Sequence, residues 1–157
     1  MSQQQADLEN SKQALECLAH QQAQLLQQTG VGVDIELITD INIENETFIE
    51  RNFTPAEQAY CWARPNPHAS FAGKWCAKEA IIKAVSSADL DHESVWVKGS
   101  AAPLIDIEIA IGTSGAPMVV LHGEAKDAVE KTGVTQIKVS ISHIDVFAIA
   151  TAIALIK

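Results

Sequence analysis

The stretch Phe71-Ala72-Gly73-Lys74-Trp75-Cys76-Ala77-Lys78-Glu79-Ala80-Ile81-Ile82-Lys83-Ala84 decides how this chain is read. It is rich in helix formers and holds no proline, so its composition predicts one continuous helix. At about 100° per residue, Phe71, Trp75, Ile82 and Val85 gather on one face, which is expected to be the buried one. Glu79 falls at the edge of that face, one turn after Trp75 and one turn before Ile82. A carboxylate there is costly to bury unless a cation or hydrogen-bond donors meet it. Lys83 lies one turn further on, and Lys74 and Lys78 are expected to project to the other flank. Glu79 and Lys83 also read as an ordinary i,i+4 surface pair.

A second acidic cluster lies upstream, in Gly30-Val31-Gly32-Val33-Asp34-Ile35-Glu36-Leu37-Ile38. Val31, Val33, Ile35 and Leu37 alternate as the core face of a strand should, which leaves Asp34 and Glu36 together on the opposite face, roughly 7 Å apart. A solvated strand face accounts for the two acids taken alone. Two carboxylates from a strand and one from a helix also suit a hard divalent cation with oxygen ligands, Mg²⁺ above all. Lysines beside such a site point to phosphates as the remaining ligands of the ion.

Gly32-Val33-Asp34-Ile35-Glu36, followed some forty residues later by Trp75-Cys76-Ala77-Lys78-Glu79-Ala80-Ile81-Ile82-Lys83-Ala84, resembles the paired signature of 4′-phosphopantetheinyl transferases. With Asn52-Phe53-Thr54-Pro55-Ala56-Glu57 and Ser140-Ile141-Ser142-His143, the text is most similar to the holo-acyl-carrier-protein synthase domain that closes the α subunit of fungal fatty acid synthase. The resemblance covers about residues 30 to 157. It implies transfer of the 4′-phosphopantetheine arm of coenzyme A to a serine of an acyl carrier protein, with release of adenosine 3′,5′-bisphosphate.

By the same resemblance Asp34, Glu36 and Glu79 are the metal carboxylates. Asp34, Glu79 and Lys83 carry the catalysis, while Lys74, Lys78, Lys83, Ser142 and His143 contact coenzyme A. Lys78 and Lys83 face the reacting phosphates, and Lys74 takes the 3′-phosphate. The resemblance leaves open whether Glu79 or a metal-bound water takes the serine proton. Single-length members complete the site across subunits, with Ser142 and His143 serving a neighbour, most simply in a homotrimer. A silent coenzyme A-binding module of a synthase and a Mg²⁺-dependent phosphohydrolase are the rival classes. The region after Ala84 departs from the family: residues 86–99 are longer than the usual Gly-rich loop and acidic at Asp89-Leu90-Asp91.

The remaining chain fits an α+β domain, an antiparallel β-sheet packed against a long central helix as one single-length unit. Residues 1–29, Gln-rich with leucines in loose helical spacing, read as an amphipathic extension before a domain at 30–157. A short helix is expected over Glu46–Asn52, and Thr54-Pro55-Ala56-Glu57 is a capping box with proline at the first helical position. The two prolines of Arg64-Pro65-Asn66-Pro67-His68 predict a loop, expected to border the adenine of coenzyme A. Val95-Trp96-Val97 suggests a short strand. Ile105, Ile107, Ile109 and Ile111 alternate as a half-buried strand, with a return strand at 118–122. A helix over 124–131 and a hairpin of 137–143 with 146–156 complete the pattern.

At 157 residues, 47% apolar and 20% charged, the chain is long enough for one cored domain. No apolar run reaches membrane-spanning length without interruption, and no signal-peptide profile opens the sequence. Cys17, Cys61 and Cys76 lack metal-ligand spacing and read as free thiols of a reducing compartment, the cytoplasm. The net charge of −9 argues against nucleic acid. It also sits oddly with an acidic carrier protein, unless tethering in one large assembly supplies the encounter.

Overall fold

The structure is a computed structural model that describes residues 13, 15–18, 29–88 and 104–156. The elements at the site are β1 (Thr29–Leu37), α1 (Glu46–Asn52), α2 (Pro55–Trp62), α3 (Pro67–Ala88), β2 (Ile107–Ile111), β3 (Pro117–Leu121), α4 (Gly123–Lys131), β4 (Val134–His143) and β5 (Phe147–Ile156). β1, β5 and β4 form an antiparallel sheet in that order, with Asp34 opposite Ala150 and His143 opposite Ala148. β2 and β3 form a separate antiparallel pair. The long helix α3 lies across the three-stranded sheet, the expected α+β arrangement.

Helix α3 begins earlier than its prolines suggested. The side chain of Asn66 caps it by accepting from Ala69 N at 3.1 Å, and Pro67 takes the first position, where a missing N–H costs nothing. His68 therefore lies in the first turn and not in a loop. The buried face is also wider than the predicted stripe. Ala69, Ala72, Cys76, Ala77, Ala80, Ile81 and Ala84 are buried beside Phe71 and Val85, whereas Trp75 and Ile82 are only partly covered. Small residues on nearly every side let strands and helices approach this helix closely.

Strand β1 is turned over relative to expectation. Gly32 and Asp34 face inward, while Val31, Val33, Ile35 and Leu37 are exposed, Ile35 to 57%. The reason is steric. A β-carbon on Gly30 or Gly32 would stand 2.0 Å from the carbonyl oxygens of Ala84 or Ala80 respectively, so only the glycine side of the strand can lie on α3.

The capping box forms as read: Thr54 Oγ1 accepts from Glu57 N at 3.3 Å and Glu57 Oε2 accepts from Thr54 N at 2.9 Å. Residues Leu104–Asp106 make a turn of 3₁₀ helix, so β2 starts at Ile107, later than the isoleucine alternation implied. The strand expected at 95–97 and most of the leading helix lie outside the described residues; 13 and 15–18 are helical. Among the described residues no helix is long and apolar enough to cross a membrane.

Candidate active site

Where β1 lies on α3, the backbones are close and side chains from the two elements meet. Asp34 is 8% exposed, and its Oδ1 accepts from Lys83 Nζ at 2.7 Å. The same ammonium donates to Val33 O at 3.3 Å. Asp34 Oδ2 is buried with no hydrogen-bond partner among the described residues. Glu79, half-buried beside it, has its carboxyl pushed up, first by burial and then by the charge of Asp34. Lys83 opposes that shift and Glu36 adds to it. Lys83 is itself held more firmly protonated, chiefly by its hydrogen bond to Asp34.

A buried carboxylate oxygen without a donor, next to a second carboxylate that is reluctant to ionise, is a site with more negative charge than Lys83 alone offsets. These oxygens fit a hard divalent cation. Among the described residues no three acidic, histidine or cysteine side chains converge as a ready-made cage. Asp34 and Glu79 would thus hold an ion with help from outside the chain, as Mg²⁺ bound with substrate phosphates commonly is. Cys76 abuts this gap, but burial raises its thiol to about 12; it remains protonated and donates to Ala148 O at 3.4 Å.

Lys78 does not project to an open flank. It is fully buried, and its ammonium donates to Glu57 Oε2 at 2.7 Å, to Leu104 O at 2.9 Å and to Asn52 O. All three of its donors are used inside the fold. Glu57 Oε1 accepts from Ile109 N at 2.9 Å, so this buried pair ties α1, α2, α3 and β2 together. Lys74 is also buried, with its ammonium on Ile109 O and 4.9 Å from the centre of the Tyr60 ring. Burial lowers its affinity for a proton, and Glu57 counters that.

Beyond Lys74 opens a cavity of about 210 Å³ lined by Tyr60, Arg64, Ser70, Lys74 and His143, among others. Among the described residues no carboxylate lines it, in a chain of net charge −9. His143 and Ser142 are neighbours on β4 and point to opposite sides of the sheet; His143 reaches the cavity and Ser142 does not line it. Arg64 lies in the segment expected to border a ligand. Tyr60 had no sequence signal beyond its i,i+4 spacing to Arg64. Lys74 and Glu79, five residues apart on α3, are turned about 140° from one another around the helix axis. The acidic gap and the basic cavity therefore lie on different faces of one helix.

Residues 30–152 match the model of the 4′-phosphopantetheinyl transferase superfamily. The chain is 55% identical over 124 residues to the fatty acid synthase subunit alpha of Schizosaccharomyces pombe and 54% identical over 125 residues to that of Saccharomyces cerevisiae. These alignments take in 79% and 80% of this chain but only 6% of each relative, so the chain spans a small part of their length. Among solved structures, an ACPS–CoA complex from Chronobacterium ammoniagenes superposes with a TM-score of 0.70 at 27% identity, over 82% of this chain and 98% of that one. Holo-ACP-synthase from Plasmodium yoelii does so at 0.65 and 28%, over 82% and 94%. With the family match spanning most of its length and the same fold in both solved structures, the chain belongs to the 4′-phosphopantetheinyl transferase superfamily.

Proposed function

We propose that the chain transfers the 4′-phosphopantetheine arm of coenzyme A to a serine of an acyl carrier protein, within a fatty acid synthase. The observation that carries this reading is the buried Asp34 carboxylate, its Oδ2 without a hydrogen-bond partner among the described residues and its Oδ1 held by Lys83, beside the half-buried Glu79. Asp34 and Glu79 would hold Mg²⁺, and Glu36, two residues along β1 from Asp34, adds negative charge there without completing a three-carboxylate cage. The ion, when bound, supplies charge neutralisation on the pyrophosphate of coenzyme A.

The chain's own residues then have separable tasks. Lys83, half-exposed on a flexible stem, can leave Asp34 and place its ammonium on the pyrophosphate. Glu79, whose carboxyl holds a proton more readily than usual, suits acceptance of the serine proton. The serine oxygen bonds to the β-phosphorus, the bridging P–O bond breaks, and adenosine 3′,5′-bisphosphate leaves. We assign the 3′-phosphate to Lys74 and His143, because both line the cavity that has no carboxylate among the described residues. Lys78 serves the fold, since its donors are already taken.

Because the acidic gap and the basic cavity face different ways from α3, we assign the two ends of one coenzyme A molecule to two copies of the chain. The outer sheet face supports this. Val31, Val33, Ile35, Leu37, Phe147, Ile149 and Ile153 form a continuous exposed apolar surface, which suits coverage by further copies in a homotrimer. Mass spectrometry of an apo-carrier protein incubated with the chain, coenzyme A and Mg²⁺ tests the function. A gain of the phosphopantetheine arm is expected. Phosphate release without carrier would favour a phosphohydrolase, and no reaction of either kind would leave a silent binding module.

A further inference from the structure

Tyr60 stands at the wall of the basic cavity with two cations over its ring: Arg64 Cζ at 5.3 Å and Lys74 Nζ at 4.9 Å from the centroid. The cations come from different elements, Lys74 from α3 and Arg64 from just past the end of α2, where its N–H donates to Cys61 O at 3.1 Å. The ring also lines a second cavity, of about 220 Å³, on whose wall Glu57 and Glu108 lie beside Lys74. Tyr60 thus lies where an acidic cavity adjoins one that has no carboxylate among the described residues.

Two cations around a small cavity repel one another, and a buried lysine tends to lose its proton. A carboxylate between them would relieve both problems, but it would also cancel the charge that an incoming anion needs. An aromatic ring relieves them differently. Its quadrupole attracts both cations while remaining neutral, so their full charge stays available to a ligand.

We propose that Tyr60 is a positioning residue for phosphomonoester recognition, its ring holding Lys74 and Arg64 at the cavity without neutralising them. This rests on the reading of the cavity as the site of the coenzyme A 3′-phosphate. The hydroxyl has no part in it; the ring does.

Calorimetry on the assembled protein, comparing adenosine 3′,5′-bisphosphate with adenosine 5′-monophosphate, tests the inference without turnover. Tyr60→Phe should keep the wild-type preference for the bisphosphate. Tyr60→Leu should weaken the bisphosphate at least about tenfold, since it removes one buried cation–ring contact, that of Lys74, and one exposed one, that of Arg64, and the monophosphate by less than about threefold. Tyr60→Met, closer in length, replaces the leucine variant if that one does not fold. Equal losses for both ligands, no loss at all, or a Tyr60→Phe variant as impaired as Tyr60→Leu overturns the role of the ring. Lys74→Ala, measured alongside, separates the two failures. If it abolishes the preference and Tyr60→Leu does not, the inference about Tyr60 alone falls. If it leaves the preference intact, the phosphate reading of the cavity falls and takes the role of Tyr60 with it.

Discussion

Replacing Gly32 with alanine should damage chemistry and stability together, by a route that can be traced in ångströms. The new β-carbon would lie 2.0 Å from Ala80 O and 2.5 Å from Ala84 N. Neither atom is the end of a flexible side chain, so β1 and α3 must part by at least about 1 Å to restore ordinary contact. Overpacking of this kind costs about 1–3 kcal/mol. Asp34 is two residues along the same strand and Glu79 adjoins Ala80, so the gap that widens is the one the carboxylates share. Mg²⁺ tolerates little departure from octahedral geometry, and a shift of about 1 Å at a reacting centre can cost about a hundredfold in rate. Gly30→Ala is the control. It is equally tight against Ala84 O at 2.0 Å, but sits a turn of α3 further from Glu79. Chemical denaturation and steady-state transfer assays should show similar stability losses for the two variants and a much larger fall in kcat for Gly32→Ala. Wild-type turnover in Gly32→Ala, or equal kcat losses in both, would refute the idea that this backbone contact sets the site.

Three further outcomes are expected. Glu79→Gln should abolish transfer yet raise the melting temperature at neutral pH: a carboxyl whose folded-state affinity for protons is raised stabilises the fold only while protonated, and loses that contribution as pH climbs from the ordinary 4.5 through its folded value. The gain in melting temperature over wild type should therefore shrink to nothing below pH 4.5, and a gain independent of pH would exclude this cause. Lys83→Met should lower kcat more than it weakens coenzyme A, and should tighten Mg²⁺ binding without coenzyme A, since the 2.7 Å ammonium no longer occupies Asp34; calorimetry showing weaker metal binding would contradict that. Lys78→Met should destabilise the fold by about 3–5 kcal/mol in urea titrations, because Glu57 is left as a buried charge without its partner; a cost below about 1 kcal/mol would mean the pair is solvated.

The helix, the capping box and the acid–lysine cluster were legible because each is carried by local spacing. Thr54 and Glu57 cap one helix three residues apart, and Glu79 and Lys83 share a face whatever lies opposite. The direction in which β1 faces was not legible from alternation, which groups Val31 with Val33 but does not say which group meets the helix. Gly30 and Gly32 held that information, since small residues on the polar side mark a close backbone approach. The fate of Lys78 was hidden for a different reason: its burial depends on a partner distant in sequence, and Glu57 lies 21 residues away. Pro67 is ambiguous in sequence, because a proline breaks a helix interior but suits its first position, and Asn66 before it supplies the cap.

The inner row of β5 is Ala148, Ala150, Ala152 and Ala154, each at most 1% exposed, while Phe147, Ile149 and Ile153 point the other way. The sheet thus gives its smallest side chains to the helix and its largest to whatever covers its back. One chain on its own leaves most of that apolar area in water. In the homotrimer proposed above, protein concentration becomes a thermodynamic variable of the fold itself. By mass action, dilution should lower the melting temperature of the chain with no change in sequence, pH or salt.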